Sequence, residues 1–98
     1  MHKKKTPNVI TVEGTEWSFH PSEITVRKGE EVTIIFKHAG KIAHNFVIGE
    51  FGVRTATILL GKTDEITFTP TKTGTFPFWC SVPGHRGAGM QGKFIVKE

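Results

Sequence analysis

The feature that most constrains this fold is a series of short segments in which apolar and polar residues alternate, each ended by turn-forming residues. Alternation with a period of two is typical of a strand with one face buried and the other in water. It occurs in residues 23–27, 31–37, 65–69, 75–80 and 93–97. Residues 8–13, where Val9, Ile10 and Val12 are apolar, and the short apolar run 45–48 are also predicted strands. Residues 51–61 fit a strand, a loop or one short helix equally well.

This pattern predicts an all-β domain. Seven or eight short strands in a chain of 98 residues are typical of a two-sheet β-sandwich. The 11 Gly and 5 Pro residues supply turns, and the window most favourable to a helix, residues 52–60, is rich in β-branched side chains. We expect one domain over residues 8–98, and a disordered tail or cloning remnant over residues 1–7.

Charge and hydropathy exclude several classes of function. The formal net charge is +4, and Lys3, Lys4 and Lys5 supply most of it, so the body of the chain lacks the basic excess of a nucleic-acid-binding domain. No run of 18 apolar residues could span a membrane, and no secretory signal is present. The single Cys cannot form an intramolecular disulfide. A bound metal is therefore the candidate for the additional stabilisation that a domain this small needs.

The segment from Cys80 to Met90 carries the chemistry. Cys80, His85 and Met90 follow one another with four residues in each gap, which places a thiolate, an imidazole and a thioether on one loop. Soft sulfur donors together with imidazole select copper over magnesium or calcium, and an electron-transfer copper site also needs a second His. His44 is the preferred candidate because it opens an apolar strand. Its rival, His38, is expected to face a Lys-rich loop.

Three features together give a resemblance to a known family. They are the His44-Asn45 pair before an apolar strand, the loop of residues 80–90, and the final segment of residues 92–96. On these the chain resembles a single-domain cupredoxin, the blue (type 1) copper family that includes plastocyanin and azurin, with a loop most similar to those of auracyanin and rusticyanin. The resemblance implies a Greek-key β-sandwich whose single copper ion is held by His44, Cys80, His85 and Met90.

The resemblance also implies a function. Copper would cycle between Cu(I) and Cu(II), and the chain would carry single electrons between redox partner proteins that dock near His85, outside the cytoplasm. We also expect the protein to be a monomer. Asn45 would tie the His44 loop to the Cys loop near Cys80 or Ser81. A two-copper site is excluded because the chain has no second Cys.

Two alternatives stay open at this point. One is a copper storage or delivery module without an electron-transfer role, and the other is a metal-free β-sandwich with an interaction role. We expect no enzyme and no small-molecule substrate, because the other His residues show no cluster for a second copper. The aromatic residues Trp17, Phe78 and Trp79 are expected to pack in the core.

Overall fold

The computed structural model describes residues 8–98, so the expectation for residues 1–7 lies outside the described residues. The elements follow one another along the chain as nine strands and one short 3-10 helix. They are β1 (Asn8–Thr15), β2 (Ser18–His20), β3 (Glu23–Arg27), β4 (Val32–His38), β5 (Val47–Ile48), the 3-10 helix Gly49–Phe51, β6 (Val53–Arg54), β7 (Thr63–Phe68), β8 (Gly74–Trp79) and β9 (Gln91–Lys97).

The strands form two sheets, with the orders β2-β1-β4-β7 and β3-β9-β8-β5-β6. The predicted two-sheet sandwich is therefore confirmed. The count of seven or eight strands was low because β2 has three residues and β6 has two, too few for alternation to be visible. β5 is the end of the predicted segment 45–48. The unassigned stretch 51–61 contains the end of the 3-10 helix, then β6, then a loop.

The core lies between the sheets and is built from the inward faces of the alternating strands. Its centre is aromatic: the Phe19 ring lies 5.8, 5.5 and 5.3 Å from the ring centroids of Phe36, Phe46 and Phe78. Burying one such side chain stabilises a fold by about 1.5–3 kcal/mol. Phe78 is in the core as predicted, whereas Trp79 is half-buried, with the Arg86 guanidinium 4.3 Å above its ring.

Strand pairing brings the ends of several strands to one pole of the sandwich. β1 runs parallel to β4, in a register from Asn8 opposite Val32 to Gly14 opposite His38, so both strands end at this pole. β8 and β9 are antiparallel, so the loop between Trp79 and Gln91 also lies at an end of the sandwich. Within residues 8–98, no helix has the length and apolar character needed to cross a membrane.

Candidate metal centre

Three of the predicted ligand residues meet at this pole. The Nδ1 atoms of His44 and His85 are 3.1 Å apart, and the Cys80 Sγ lies 3.4 Å from Nδ1 of His85 and 3.9 Å from Nδ1 of His44. All three side chains are buried. These donors arrive from the loop before β5 and from the loop after β8, which are held together by the pairing of Val47 with Trp79.

The spacing of these donors fits one metal ion. With bond lengths typical of zinc sites, about 2.0 Å to nitrogen and about 2.3 Å to sulfur, a trigonal ion separates its donors by about 3.5–3.7 Å. The observed separations of 3.1, 3.4 and 3.9 Å bracket that range. Two imidazoles and one thiolate are also the ligand chemistry of an electron-transfer copper site.

Met90, the fourth predicted ligand, is fully buried at the end of the same loop. Its backbone N–H donates to the His85 carbonyl and its carbonyl accepts from the Cys80 N–H, each at 3.1 Å. A Cβ on Gly14 would lie 3.2 Å from the Met90 Cε, so the thioether arm reaches the end of β1. The backbone of Met90 therefore fixes the positions of Cys80 and His85 relative to each other.

The tight shape of the loop depends on two glycines. Gly84 and Gly89 have φ of 85° and 116°, a region that L-residues with side chains rarely adopt. Around them the Ala88 N–H donates to the Gly84 carbonyl at 3.1 Å, and the Gly89 N–H donates to the Arg86 carbonyl at 3.0 Å. These turns hold His85 between Cys80 and Met90 with its ring directed to the interior.

Asn45 joins the two loops, as predicted. Its Oδ1 accepts from the Ser81 N–H at 2.7 Å and its Nδ2 donates to the Ser81 Oγ at 2.8 Å. Its own backbone N–H points at the Cys80 Sγ, 3.5 Å away. The buried amide of Asn45, which follows His44, therefore fixes the His44 loop against Ser81, which follows Cys80.

His38 is not where the sequence suggested. The expectation that it faces a Lys-rich loop was wrong, because it is buried and its ring centroid lies 4.8 Å from that of His44. Nδ1 of His38 accepts from the Gly40 N–H at 3.1 Å, and its Nε2 hydrogen-bonds to the Ile42 carbonyl. Both ring nitrogens are engaged within their own loop, so His38 packs beside the donor group without joining it.

Glu16 is a neighbour of the site that sequence analysis missed. Its Oε2 accepts from His44 Nε2 at 2.8 Å and from the backbone N–H groups of Lys41 and Ile42 at 2.8 and 3.1 Å. These bonds lower the pKa of Glu16 to about 2, and those from Lys41 and Ile42 contribute most. Glu16 is therefore a carboxylate at neutral pH. Burial lowers the pKa of His44 in spite of this carboxylate, which keeps the imidazole neutral and able to bind a metal.

Trp17 is the second neighbour, and its assignment to the core was wrong. It is 41% exposed, and its ring lies edge-on to that of His85 with centroids 4.9 Å apart. Glu16 and Trp17 form the two-residue turn between Thr15 and Ser18, which are paired in the β1–β2 hairpin. One turn thus contacts both imidazoles. No local signal marks it, because Glu16 is 28 residues from His44 in sequence and the contact depends on the pairing of β1 with β4.

Comparison with known proteins gives a consistent result. Residues 1–96 match the family described as cupredoxin-like domain. The copper-resistant cuproprotein CopI of Rubrivivax gelatinosus is 35% identical over 81% of this chain and 59% of its own length. Plastocyanin of Sambucus nigra is 37% identical over 81% of this chain and 87% of its own.

A solved structure of a copper protein also matches the fold of this chain. Auracyanin A, described as a "blue" copper protein from Chloroflexus aurantiacus, superposes with a TM-score of 0.81 at 27% identity, covering 94% of this chain and all of that one. The chain spans little more than half of the CopI length. None of these three relatives is named as an enzyme, which agrees with the prediction that the chain is not one.

Proposed function

The chain belongs to the cupredoxin-like family, with copper as its cofactor, and on that premise we propose that it carries single electrons between redox partners. The observation that carries the proposal is the buried convergence of the Cys80 Sγ with the Nδ1 atoms of His44 and His85, at separations of 3.1–3.9 Å. We propose His44, Cys80, His85 and Met90 as the ligands of one copper ion per chain.

Each proposed ligand has a distinct task. Cys80 and the two imidazoles are strong donors on loops anchored to strand ends, so they keep one arrangement in both oxidation states. Met90 supplies a soft, weak donor that tunes the balance between those states. Bound copper would supply the one-electron couple between Cu(II) and Cu(I). Rigid donors suit electron transfer because little has to move when the charge of the ion changes.

The surface beside His85 suits a transient partner. His85 is 7% exposed and Trp17, packed edge-on to it, is 41% exposed. Pro83, Gly84 and Gly87 around them are exposed and uncharged. We propose that a redox partner docks here, over the shortest path to the metal, through an interface below about 1,200 Å² in total, as weak redox encounters do. As the family resemblance implies, we place this function outside the cytoplasm. We also propose that the protein acts as a monomer.

One observation favours a second candidate. The relative CopI is named as a copper-resistant cuproprotein, so storage or delivery of copper is an alternative role for the same site. The burial of Cys80, His44 and His85 argues against rapid release, because an incoming copper acceptor would have to reach side chains of which only His85 has any exposed surface, and that is 7%. The two roles differ in the fate of Cu(I): a carrier keeps it, and a delivery protein passes it on.

The test is repeated redox cycling in the presence of a competing ligand. The protein loaded with one equivalent of copper is reduced and reoxidised several times beside a soluble Cu(I) chelator, with visible absorption and bound copper measured after each cycle. An electron carrier recovers its oxidised spectrum and its copper each time. Loss of copper to the chelator at the first reduction would favour the delivery role and overturn the proposal.

A further inference from the structure

We propose that Glu16 is a positioning residue that, through His44, holds the reduction potential of the site below the value that an uncharged partner would give. This inference rests on the proposed function, because it takes His44 to be a copper ligand through Nδ1. It adds to the four proposed ligands a carboxylate that no sequence motif marks.

The contact determines which ring nitrogen of His44 is free. The carboxylate of Glu16 can only accept, so His44 Nε2, 2.8 Å away, must carry the proton and donate it. Nδ1 of His44 is then the atom with the free lone pair. That atom is the one directed at Nδ1 of His85 and Sγ of Cys80, 3.1 and 3.9 Å away. Glu16 therefore selects the tautomer that the site requires.

The fold holds this carboxylate in place. The N–H groups of Lys41 and Ile42 donate to the same oxygen at 2.8 and 3.1 Å, so Glu16 is fixed by the backbone of the loop that follows β4. Gly40 leaves the room: a Cβ at that position would lie 2.9 Å from Cδ of Glu16 and closer still to its Oε2. The Glu16 side chain is 24% exposed, so this is a partly desolvated, specific bond.

The electrostatic consequence has one sign. A His that donates its second N–H to a carboxylate becomes a more basic ligand. A negative charge near the metal also interacts more strongly with Cu(II) than with Cu(I), because the ion carries one more positive charge. Both effects stabilise the oxidised state. Partial burial limits the screening of this charge by salt. Glu16 therefore lowers the potential.

The experiment is voltammetry on copper-loaded wild type, Glu16→Gln and Glu31→Gln. Gln keeps the size of the side chain and an acceptor oxygen but removes the charge. Glu31 is the matched control, since it is exposed and precedes β4, whose other end carries His38. A strand of that length separates it from the site by roughly 20 Å, about two Debye lengths at physiological ionic strength.

We expect Glu16→Gln to shift the equilibrium toward Cu(I) about tenfold, which is a rise of about 59 mV for one electron. Glu31→Gln should leave the potential unchanged. A second readout is the nitrogen NMR of His44 in the metal-free protein, which should show the Nε2–H tautomer in wild type and a mixture in Glu16→Gln.

Three results would count against the inference. A Glu16→Gln potential equal to or below that of wild type, with a reversible couple in both, overturns it and leaves the proposed function standing. An Nδ1–H tautomer of His44 in metal-free wild type overturns it as well. A wild-type protein that shows no reversible couple overturns the proposed function, and this inference falls with it.

Discussion

Replacing Asn45 by Ala tests how strongly the two halves of the metal centre are joined. The change removes two hydrogen bonds, from the Ser81 N–H to Oδ1 at 2.7 Å and from Nδ2 to the Ser81 Oγ at 2.8 Å. A hydrogen bond contributes about 1 kcal/mol net to stability, so the loss should be about 2 kcal/mol. For a domain of this size, that lowers Tm by about 8–16 °C.

The assay is denaturant unfolding of the metal-free protein, which separates this effect from any contribution of copper. Ser81→Ala is the matched control. It removes the bond to Oγ and the exposed bond from Arg54 Nη2 at 2.9 Å, but it leaves the backbone bond to Asn45 Oδ1. We expect Ser81→Ala to cost about 1 kcal/mol or less, because exposed polar contacts are worth little.

Two results would contradict the expected order of stabilities. If the free energy of unfolding of Asn45→Ala lies within about 0.5 kcal/mol of the wild-type value, the amide does not hold the loops together. If Ser81→Ala costs as much as Asn45→Ala, the backbone bond to Oδ1 is not the principal contributor. A change in the denaturant slope of either variant would mean that the native or denatured state itself had changed.

Three further predictions concern the metal. His44→Gly should open a coordination position that added imidazole refills, whereas His38→Gln should keep the visible spectrum, because both ring nitrogens of His38 already bond to Gly40 and Ile42; the reverse result in absorption spectra would transfer the ligand role to His38. Copper should raise Tm in calorimetry, by an amount equivalent to about 2.7 kcal/mol at a free concentration of 100 Kd, and equal Tm values with and without copper would contradict this. Potentials should fall in the order Met90→Leu, wild type, Met90→Gln, because Leu donates nothing to electron-poor Cu(II) and the Gln oxygen is a harder donor; loss of copper from the Leu variant, or unchanged potentials in both, would show that Met90 is essential to binding or is not a ligand.

Much of the sandwich was predictable because long strands repeat the alternation that reveals them. β3 has the predicted bounds, and β4 differs from its prediction by one residue at each end. β2 could not be found in this way, since three residues give no period. The parallel pairing of β1 with β4 was equally out of reach, because no local pattern specifies which strands become neighbours.

The residues of the candidate site show the same difference between what local sequence reveals and what only the folded structure reveals. Cys80, His85 and Met90 were recognisable because they share one loop with regular spacing, and Asn45 because it adjoins His44. His38 and Trp17 were misjudged, because Lys neighbours suggested exposure for one and an aromatic ring suggested burial for the other. Glu16 gave no signal at all, since its contact with His44 spans 28 residues and exists only after the sheet has formed.

The most direct test of a single copper site built on Cys80 is a copper titration of the oxidised protein, followed by visible absorption. Wild type should develop an intense thiolate-to-copper charge-transfer band that saturates at one equivalent of copper per chain. Cys80→Ser, which exchanges the soft sulfur for a smaller and harder oxygen, should show no such band at any copper concentration. An intense visible band that persists in Cys80→Ser, or a wild-type band that saturates at two equivalents, would contradict the account.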